Sequence, residues 1–406
     1  MNYIPFILVI ALGCTPKSLG LGDTDDAGDS GDSSGPATSG DPTTGTPGSD
    51  GLAVVEGIGG SDLAVGADGS IVVIGQSGYA SDPYVNYNLA TEGFQNDWIG
   101  KFDAAGAPIW VHETPSANPG GSPFAVAVAI GPDGGIHVAW TDSLHKLDPA
   151  GKTLWTRPLS DFPRDLAVTA DGRTVVASEV YIDLADMPLV QIFAPDGAPL
   201  VEQAYDRPEY HEPGIGDVHV HALALDEGDG TVVLAGENST QAWLLRADLE
   251  SGALLWHQPI TEAMGYGQVG DIGISADGTI LALVGDHGTK VRAYSRAGEL
   301  LWSFVPTVVE RPNSLAVAAD GSFALTDAVI LPGIHPLERC SSFECPERTR
   351  VERRAADRSL MWAASNDECK EGRVVAVTPG DGVVVLGQCS KPPYGPYSIG
   401  LLQYAL

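Results

Sequence analysis

Basic residues are scarce in this 406-residue chain: 22 Lys and Arg stand against 53 Asp and Glu, for a formal net charge of −31. No Lys/Arg stripe offsets that balance. Phosphates would be repelled, so nucleic acid is not an expected partner, and the plain reading of the acidity is solubility. Long apolar runs are also missing. The one at the start, MNYIPFILVIALGC, is shorter than the roughly 20 residues a membrane-spanning helix needs. Cysteine is rare, with 5 residues. There is no nucleophile elbow, phosphate loop or zinc-protease helix, and scattered Ser, His and Asp do not replace them.

What the chain has in quantity is glycine and proline, 50 and 29 residues, and one repeated phrase. DLAVGADGSIVVIG (62–75) returns as AVAIGPDGGIHVAW (127–140), DLAVTADGRTVVAS (165–178) and ALALDEGDGTVVLAG (222–236). It appears again as DIGISADGTILALVG (271–285), SLAVAADGSFALTD (314–327) and VVAVTPGDGVVVLG (374–387), making seven copies. Each is an alternating apolar run, an Asp-Gly turn and a Val/Ile-rich run, the pattern of a β-hairpin. A second hairpin follows in most copies: KFDAAGAPIW (101–110), KLDPAGKTLW (146–155), RADLESGALLW (246–256). Trp110, Trp155, Trp256 and Trp302 each lie four residues after the Gly of this turn. Trp362 fills the place in the sixth copy, where Arg358 replaces the Gly, and Val201 takes it in the third.

Two hairpins make a four-stranded antiparallel sheet whose two apolar faces would be wet if it stood alone. Stacking the copies around an axis buries those faces, which predicts an all-β seven-bladed β-propeller. The recurring Trp then wedges each blade against its neighbour. The seventh copy stops after its third strand, SIGLLQYAL, and a spare strand, GLAVVEGI (51–58), precedes the first copy. The spare strand is expected to complete the last blade, hiding both open edges.

These residues resemble the β-propeller repeat family in which a DG-hydrophobic hairpin is coupled to a K-x-D-x-x-G-x-x-x-W hairpin. The stretch GADGSIVVIG followed by DWIGKFDAAGAPIW is the nearest copy. The turn is similar to the tryptophan-docking motif of quinoprotein-like propellers. The resemblance covers about 51–406 and implies the fold; propellers of this kind serve as scaffolds, binders and enzymes alike. Quinoprotein enzymes carry adjacent cysteines and a calcium site, and no adjacent cysteine pair occurs here. That activity is not carried over, and no cofactor is expected.

The opening run reads as a signal peptide over residues 1–13. Its end, Ala11-Leu12-Gly13-Cys14, resembles a bacterial lipoprotein cleavage site whose cysteine receives the lipid. A plain secretory signal with an incidental cysteine is the alternative. Residues 14–50 would then be the lipidated Cys14 and a disordered acidic linker, with seven Asp and one Lys after Cys14 and almost no apolar side chains. Residues 51–406 form the propeller.

The tight turns should share one flat end of the ring, with the long connections at the other: 76–97, 113–123, 179–188, 205–218, 261–268, 328–349 and 388–397. They hold Tyr79, Tyr84, Tyr87, Tyr181, Tyr205, Tyr210, Tyr266, Tyr394 and Tyr397. That concentration suits a recognition face, or rings that pack the loops down. YHEPGIGDVHVHA (210–222) is the candidate for metal or acid/base chemistry through His211, His219 and His221. Its spacing matches no strong metal motif. His221 also falls at the start of an inner strand, where Asp62, Asp165 and Asp271 sit in other blades, so a polar ring around a water-filled channel is the alternative. Cys340, Cys345, Cys369 and Cys389 suit two disulfides in an exported protein, with three connectivities open. Cys340–Cys345 and Cys369–Cys389 is the expected set, and a four-thiolate zinc site the alternative. Arg339, Arg348, Arg350, Arg353, Arg354 and Arg358 offer a dock for an acidic partner or the chain's own linker, or else plain exposed strand charges.

The expectation is a monomeric, lipid-anchored envelope propeller, sited at the outer membrane or else secreted, that binds a protein, peptide or glycan through its loop face without catalysis. The alternative is an envelope hydrolase or lyase with a site at the channel mouth.

Overall fold

Most of the tight hairpin turns are closed by two main-chain bonds. In the first, Gly66 N–H donates to Ser70 O at 2.7 Å and Gly69 N–H to Gly66 O at 2.9 Å. This is a tight turn whose last residue is left-handed. The turn aspartate adds a side-chain acceptor: Asp68 Oδ1 takes the Ser70 amide at 2.9 Å, and Asp133, Asp277 and Asp320 repeat the bond. Two turns keep the geometry without glycine, at Arg358 (φ 73°) and Asp381 (φ 62°). In the seventh copy the Asp-Gly pair is therefore shifted by one. Asp381, not Gly382, takes the left-handed position, because Thr378 pairs with Gly382 across the turn.

The computed structural model describes residues 49–56, 58–77, 96–114, 125–159, 161–182, 185–206, 218–238, 241–260, 269–285, 290–309, 312–330, 347–367, 369–389 and 398–404. They form strands and no helix. The first blade is Ile58–Val65, Ile71–Ser77, Asn96–Phe102 and Pro108–Thr114, each antiparallel to the next. Five further four-stranded blades follow. The seventh takes Cys369–Val377, Val383–Cys389 and Ser398–Tyr404 from one end of the sequence and Ser49–Glu56 from the other, with Leu52 opposite Leu402. The predicted sevenfold ring and its closure are both present. One predicted loop is not: the described residues within it, 179–182 and 185–188, continue a hairpin in which Thr174–Ile182 pairs with Ala185–Phe193.

The first strands of the seven blades contact one another in succession and close into a ring around the central channel. Seven apolar clusters fill the junctions, one per neighbouring pair. Val72 and Ile74 of the first blade meet Val128 and Ile136 of the second, and Leu386 and Ile399 of the seventh meet Leu63 and Val73 of the first. The tryptophans act between blades as expected. Trp110, Trp155 and Trp256 donate their indole N–H to Pro149, Pro195 and Arg296 carbonyls in the next blade, at 3.0, 3.0 and 2.8 Å.

Beneath four of the six described Trp-position residues lies a cation on the neighbouring strand: Lys101, Lys146, Arg246 and Arg353, all buried. Lys146 Nζ bonds Asp133 at 2.7 Å, and Arg246 bonds Asp226 and Asp229 at 2.7 and 2.9 Å. Burial works to raise the Asp226 pKa, but hydrogen bonds from Arg296 and Arg246 prevail and hold it below the usual range. These pairs explain why K-x-D and Asp-Gly recur together: the first hairpin's aspartate neutralises the second hairpin's cation.

Candidate functional site at the channel mouth

Each inner strand carries a β-bulge at one equivalent position: Ser61, Val126, Arg164, His221, Gly270, Asn313 and Arg373. A bulge re-aims its side chain. All seven residues are solvent-accessible where their predecessors are buried, so this ring lines the channel at the loop end. The sequence reading aligned His221 with Asp62, Asp165 and Asp271. The structure places Ala222 there instead; His221 is itself the bulge residue, the counterpart of Ser61, Arg164 and Gly270.

The three aspartates are staples between blades. Asp62 accepts the amides of Leu63 at 2.8 Å and Val128, in the next blade, at 2.9 Å. Asp165 does the same for Leu166 and Leu223, both at 2.7 Å, and Asp271 for Ile272 and Leu315, both at 2.8 Å. Enclosure by protein deprives these carboxylates of water. It pushes Asp62 up to about 7 and Asp271 to about 6 against the pull of the bonded amides, and lifts Asp165 well above its usual range.

Where the third and fourth blades meet, charged groups gather. Arg164 Nη2 donates to Glu179 Oε2 at 2.7 Å, while Glu179 Oε1 accepts the Val220 amide at 2.7 Å. His219 Nδ1 lies 3.6 Å from that same Oε1, and His221 Nε2 lies 3.4 Å from Glu237. The two imidazoles sit 6.5 Å apart on the same side of the strand and remain accessible. Opposite them, Arg373 donates to Gly60 O at 3.2 Å and Gln388 at 2.6 Å. His219 and His221 are therefore brought together as the alternating pattern required. Among the described residues no group of three or more His, Cys, Asp or Glu is placed to hold a metal ion. Glu179 and Glu237, the carboxylates facing the histidines, were missed in the sequence; each lies on the second strand of its blade, and only blade register brings them here.

Of the tyrosines proposed for the recognition face, Tyr205 is 3% exposed, packed among Val218, Val220 and Trp243, with its hydroxyl donating to Gly252 O at 3.0 Å. It ties two blades together and offers no surface. Tyr181 is 64% exposed, on a strand. Tyr79, Tyr84, Tyr87, Tyr210, Tyr266, Tyr394 and Tyr397 lie outside the described residues, as do His211, Cys14, Cys340, Cys345 and Arg339. Cys369 and Cys389 form the expected disulfide between directly paired residues of the closing blade.

The five described arginines of the cluster, 348–358, are engaged within the ring. Arg353 and Arg354 are 1% and 5% exposed. Arg350 bonds buried Asp327 at 2.8 Å, and Arg354 bonds Glu352 at 2.7 Å and stacks over Phe304 at 4.6 Å. Arg358 stacks over Trp302 at 5.3 Å, and Arg348 lies 3.5 Å from Asp367. On the outer strands the residue before each Trp position is an exposed aliphatic: Ile109, Leu154, Leu200, Leu255, Leu301 and Met361.

The fold and this mouth define a seven-bladed propeller with a polar, ion-paired channel entrance. The resemblance read from the turn motifs is borne out by a family model described as outer membrane protein assembly factor BamB, which matches residues 141–307, less than half of the chain. Among solved structures, BamB from Moraxella catarrhalis is similar at 12% identity, covering 86% of this chain and 98% of that one with a TM-score of 0.49. A protein of unknown function from Bacteroides caccae is similar at 10% identity over 69% and 94%, TM-score 0.45. The Pan2 WD40 domain of Neurospora crassa is similar at 12% over 66% and 73%, TM-score 0.44. No curated protein sequence matches the chain.

Proposed function

We propose that the chain is a lipid-anchored cell-envelope propeller that works as a non-enzymatic binding or scaffold module, with Cys14 as the anchor and the loop end as the contact face. The observation that carries this reading is how the channel-mouth groups are used. Glu179 is committed through both oxygens to Arg164 and the Val220 amide, and the three inner aspartates each clamp the amides of two blades. Groups held this way stiffen a frame. The match to the assembly-factor model over 141–307 and the N-terminal run ending in Cys14 support an outer-membrane address and a protein partner. Crosslinking and recovery of partners from the native envelope tests it, comparing the natural chain with a Tyr84→Ala/Tyr394→Ala variant. Reduced recovery is expected; equal recovery would count against the loop face.

A hydrolase or lyase at the mouth is the second reading, favoured by one observation: His219 and His221 are accessible and each faces a carboxylate. Such pairs suit general acid/base work. Stoichiometric zinc or calcium in the purified protein, removed by His219→Ala, would shift the balance to it.

A further inference from the structure

The tryptophan docks end on one kind of acceptor, a carbonyl in the second hairpin turn of the next blade: Pro149, Pro195 and Arg296. In the fourth blade a buried guanidinium shares that acceptor. Arg246, the cross-strand partner of Trp256, donates Nη1 to Arg296 O at 2.9 Å, while its Nη2 bonds Asp226 and Asp229 of its own blade. One oxygen thus receives both the guanidinium and the indole.

The sixth blade repeats the donors without the acceptor. Arg353 and Trp362 are cross-strand partners, 1% and 2% exposed. Arg353 Nη2 donates to Ser322 Oγ at 2.7 Å, in the first turn of its own blade, which orients the fork as in Arg246. The next blade has no turn between its third and fourth strands, since these come from opposite ends of the sequence. Among the described residues, Arg353 Nε and Nη1 and Trp362 Nε1 are buried with no acceptor. The hydroxyl of Tyr404, whose ring lies 5.7 Å from that of Trp362, is also buried and unpaired. Burial lifts the Tyr404 pKa to about 12, so the phenol keeps its proton.

The charge is unbalanced as well. Among the described residues no carboxylate bonds Arg353. Asp320 is taken up by the Ser322 amide and hydroxyl, and burial draws the Arg353 pKa down against the more distant pull of Asp320 and Asp381. Buried donors almost always have acceptors, and a buried charge needs a partner. A water has to place protons of its own as well as accept, and it would leave the positive charge uncompensated. An anion accepts from several donors at once and neutralises the guanidinium.

We propose that Arg353 and Trp362, with the Tyr404 hydroxyl beside them, form a binding site for one small monovalent anion of the size of chloride or formate. The anion takes the place that the Arg296 carbonyl holds in the fourth blade and joins the sixth blade to the closing one. A trapped water is the rival occupant.

The test uses the full-length protein with ¹⁵N-labelled tryptophan, exchanged into sodium gluconate, whose anion is too large for a buried site. It is titrated with sodium chloride or sodium formate at constant ionic strength, and Trp362→Phe assigns the Trp362 indole signal. That signal should move saturably with either anion while those of Trp110, Trp155 and Trp256 stay fixed. The thermal midpoint should rise with the logarithm of anion concentration. Trp362→Phe should weaken the affinity read from the midpoints about tenfold, the loss of one hydrogen bond, and Arg353→Met should abolish the dependence. A Trp362 signal and a midpoint indifferent to both anions would assign the donors to water and overturn the proposal, as would an undiminished response in Arg353→Met. Should the variants fail to fold, the natural chain decides alone: a single moving indole signal supports the site, and none overturns it.

Discussion

The turn glycines offer a paired test of the tryptophan docks. Gly151 and Gly230 both have positive φ, 84° and 64°. Alanine at either position meets the same backbone penalty, about 1–2 kcal/mol for a left-handed L-residue. Their surroundings differ. A Cβ on Gly230 has nothing within 4 Å, whereas one on Gly151 would sit 2.5 Å from His112 Nε2 and 3.2 Å from Trp110 Cε2. Relief of that contact pushes Trp110 off the Pro149 carbonyl, forfeiting a hydrogen bond of about 1 kcal/mol and some ring burial. Gly151→Ala should therefore destabilise the ring by about 2–4 kcal/mol and Gly230→Ala by about 1–2 kcal/mol. In a Trp110→Ala background the excess at Gly151 should shrink. Urea unfolding followed by fluorescence gives the totals. Hydrogen exchange resolved by blade localises the loss, which matters because a chain of this length need not unfold in one step. Equal losses at the two glycines would refute the idea that the turn glycine exists to admit the tryptophan.

Three further outcomes follow from the geometry. Arg246→Ala removes one of the two arginines holding buried Asp226 and should cost about 3–5 kcal/mol in urea titrations, since a charge is left under-compensated; a change below about 1 kcal/mol would contradict the pairing. Raised carboxyl pKa values mean that the folded ring holds protons the unfolded chain has released. The contribution of Asp62 and Asp271 is thus fully present below about pH 4 and lost as pH rises through about 7 and about 6 respectively, and that of Asp165 falls with rising pH in the same direction. Asp62→Asn should flatten that slope in thermal midpoints measured from pH 4 to 8, and an unchanged slope would count against it. Replacing Cys369 and Cys389 together by Ser opens a link with a sequence separation of 20 and should lower stability by about 3 kcal/mol. Exchange should rise first in the closing blade, and uniform loosening would be the contrary result.

The ring was legible because its causes are local and repeated. Alternation, turn aspartates and the Trp spacing each occur within about ten residues, and closure followed from one missing strand and one spare. The channel mouth was only half legible. His219 and His221 share a face by simple alternation, but their partners Glu179 and Glu237 belong to second strands, one of them in the preceding blade. That His221 is a bulge residue, one place before the aspartate position, leaves no mark in a chain read without register. The arginines of 348–358 misled for a related reason. A cation-rich strand looks exposed until the aspartates and aromatic rings that cover it are known to lie on adjacent strands and in the neighbouring blade.

The strand that completes the ring also sets the side from which the preceding chain enters. Ser49–Glu56 is the outermost strand of its blade, and such strands begin at the tight-turn end and run toward the long connections. Whatever precedes Ser49 thus enters at the flat side. With Cys14 as the proposed mooring, the 34 residues from 15 to 48 give a leash of at most about 115 Å. Pulled from that side, the disc would turn its flat underside to the lipid and hold the channel entrance and the long connections outward, toward whatever approaches from the aqueous space.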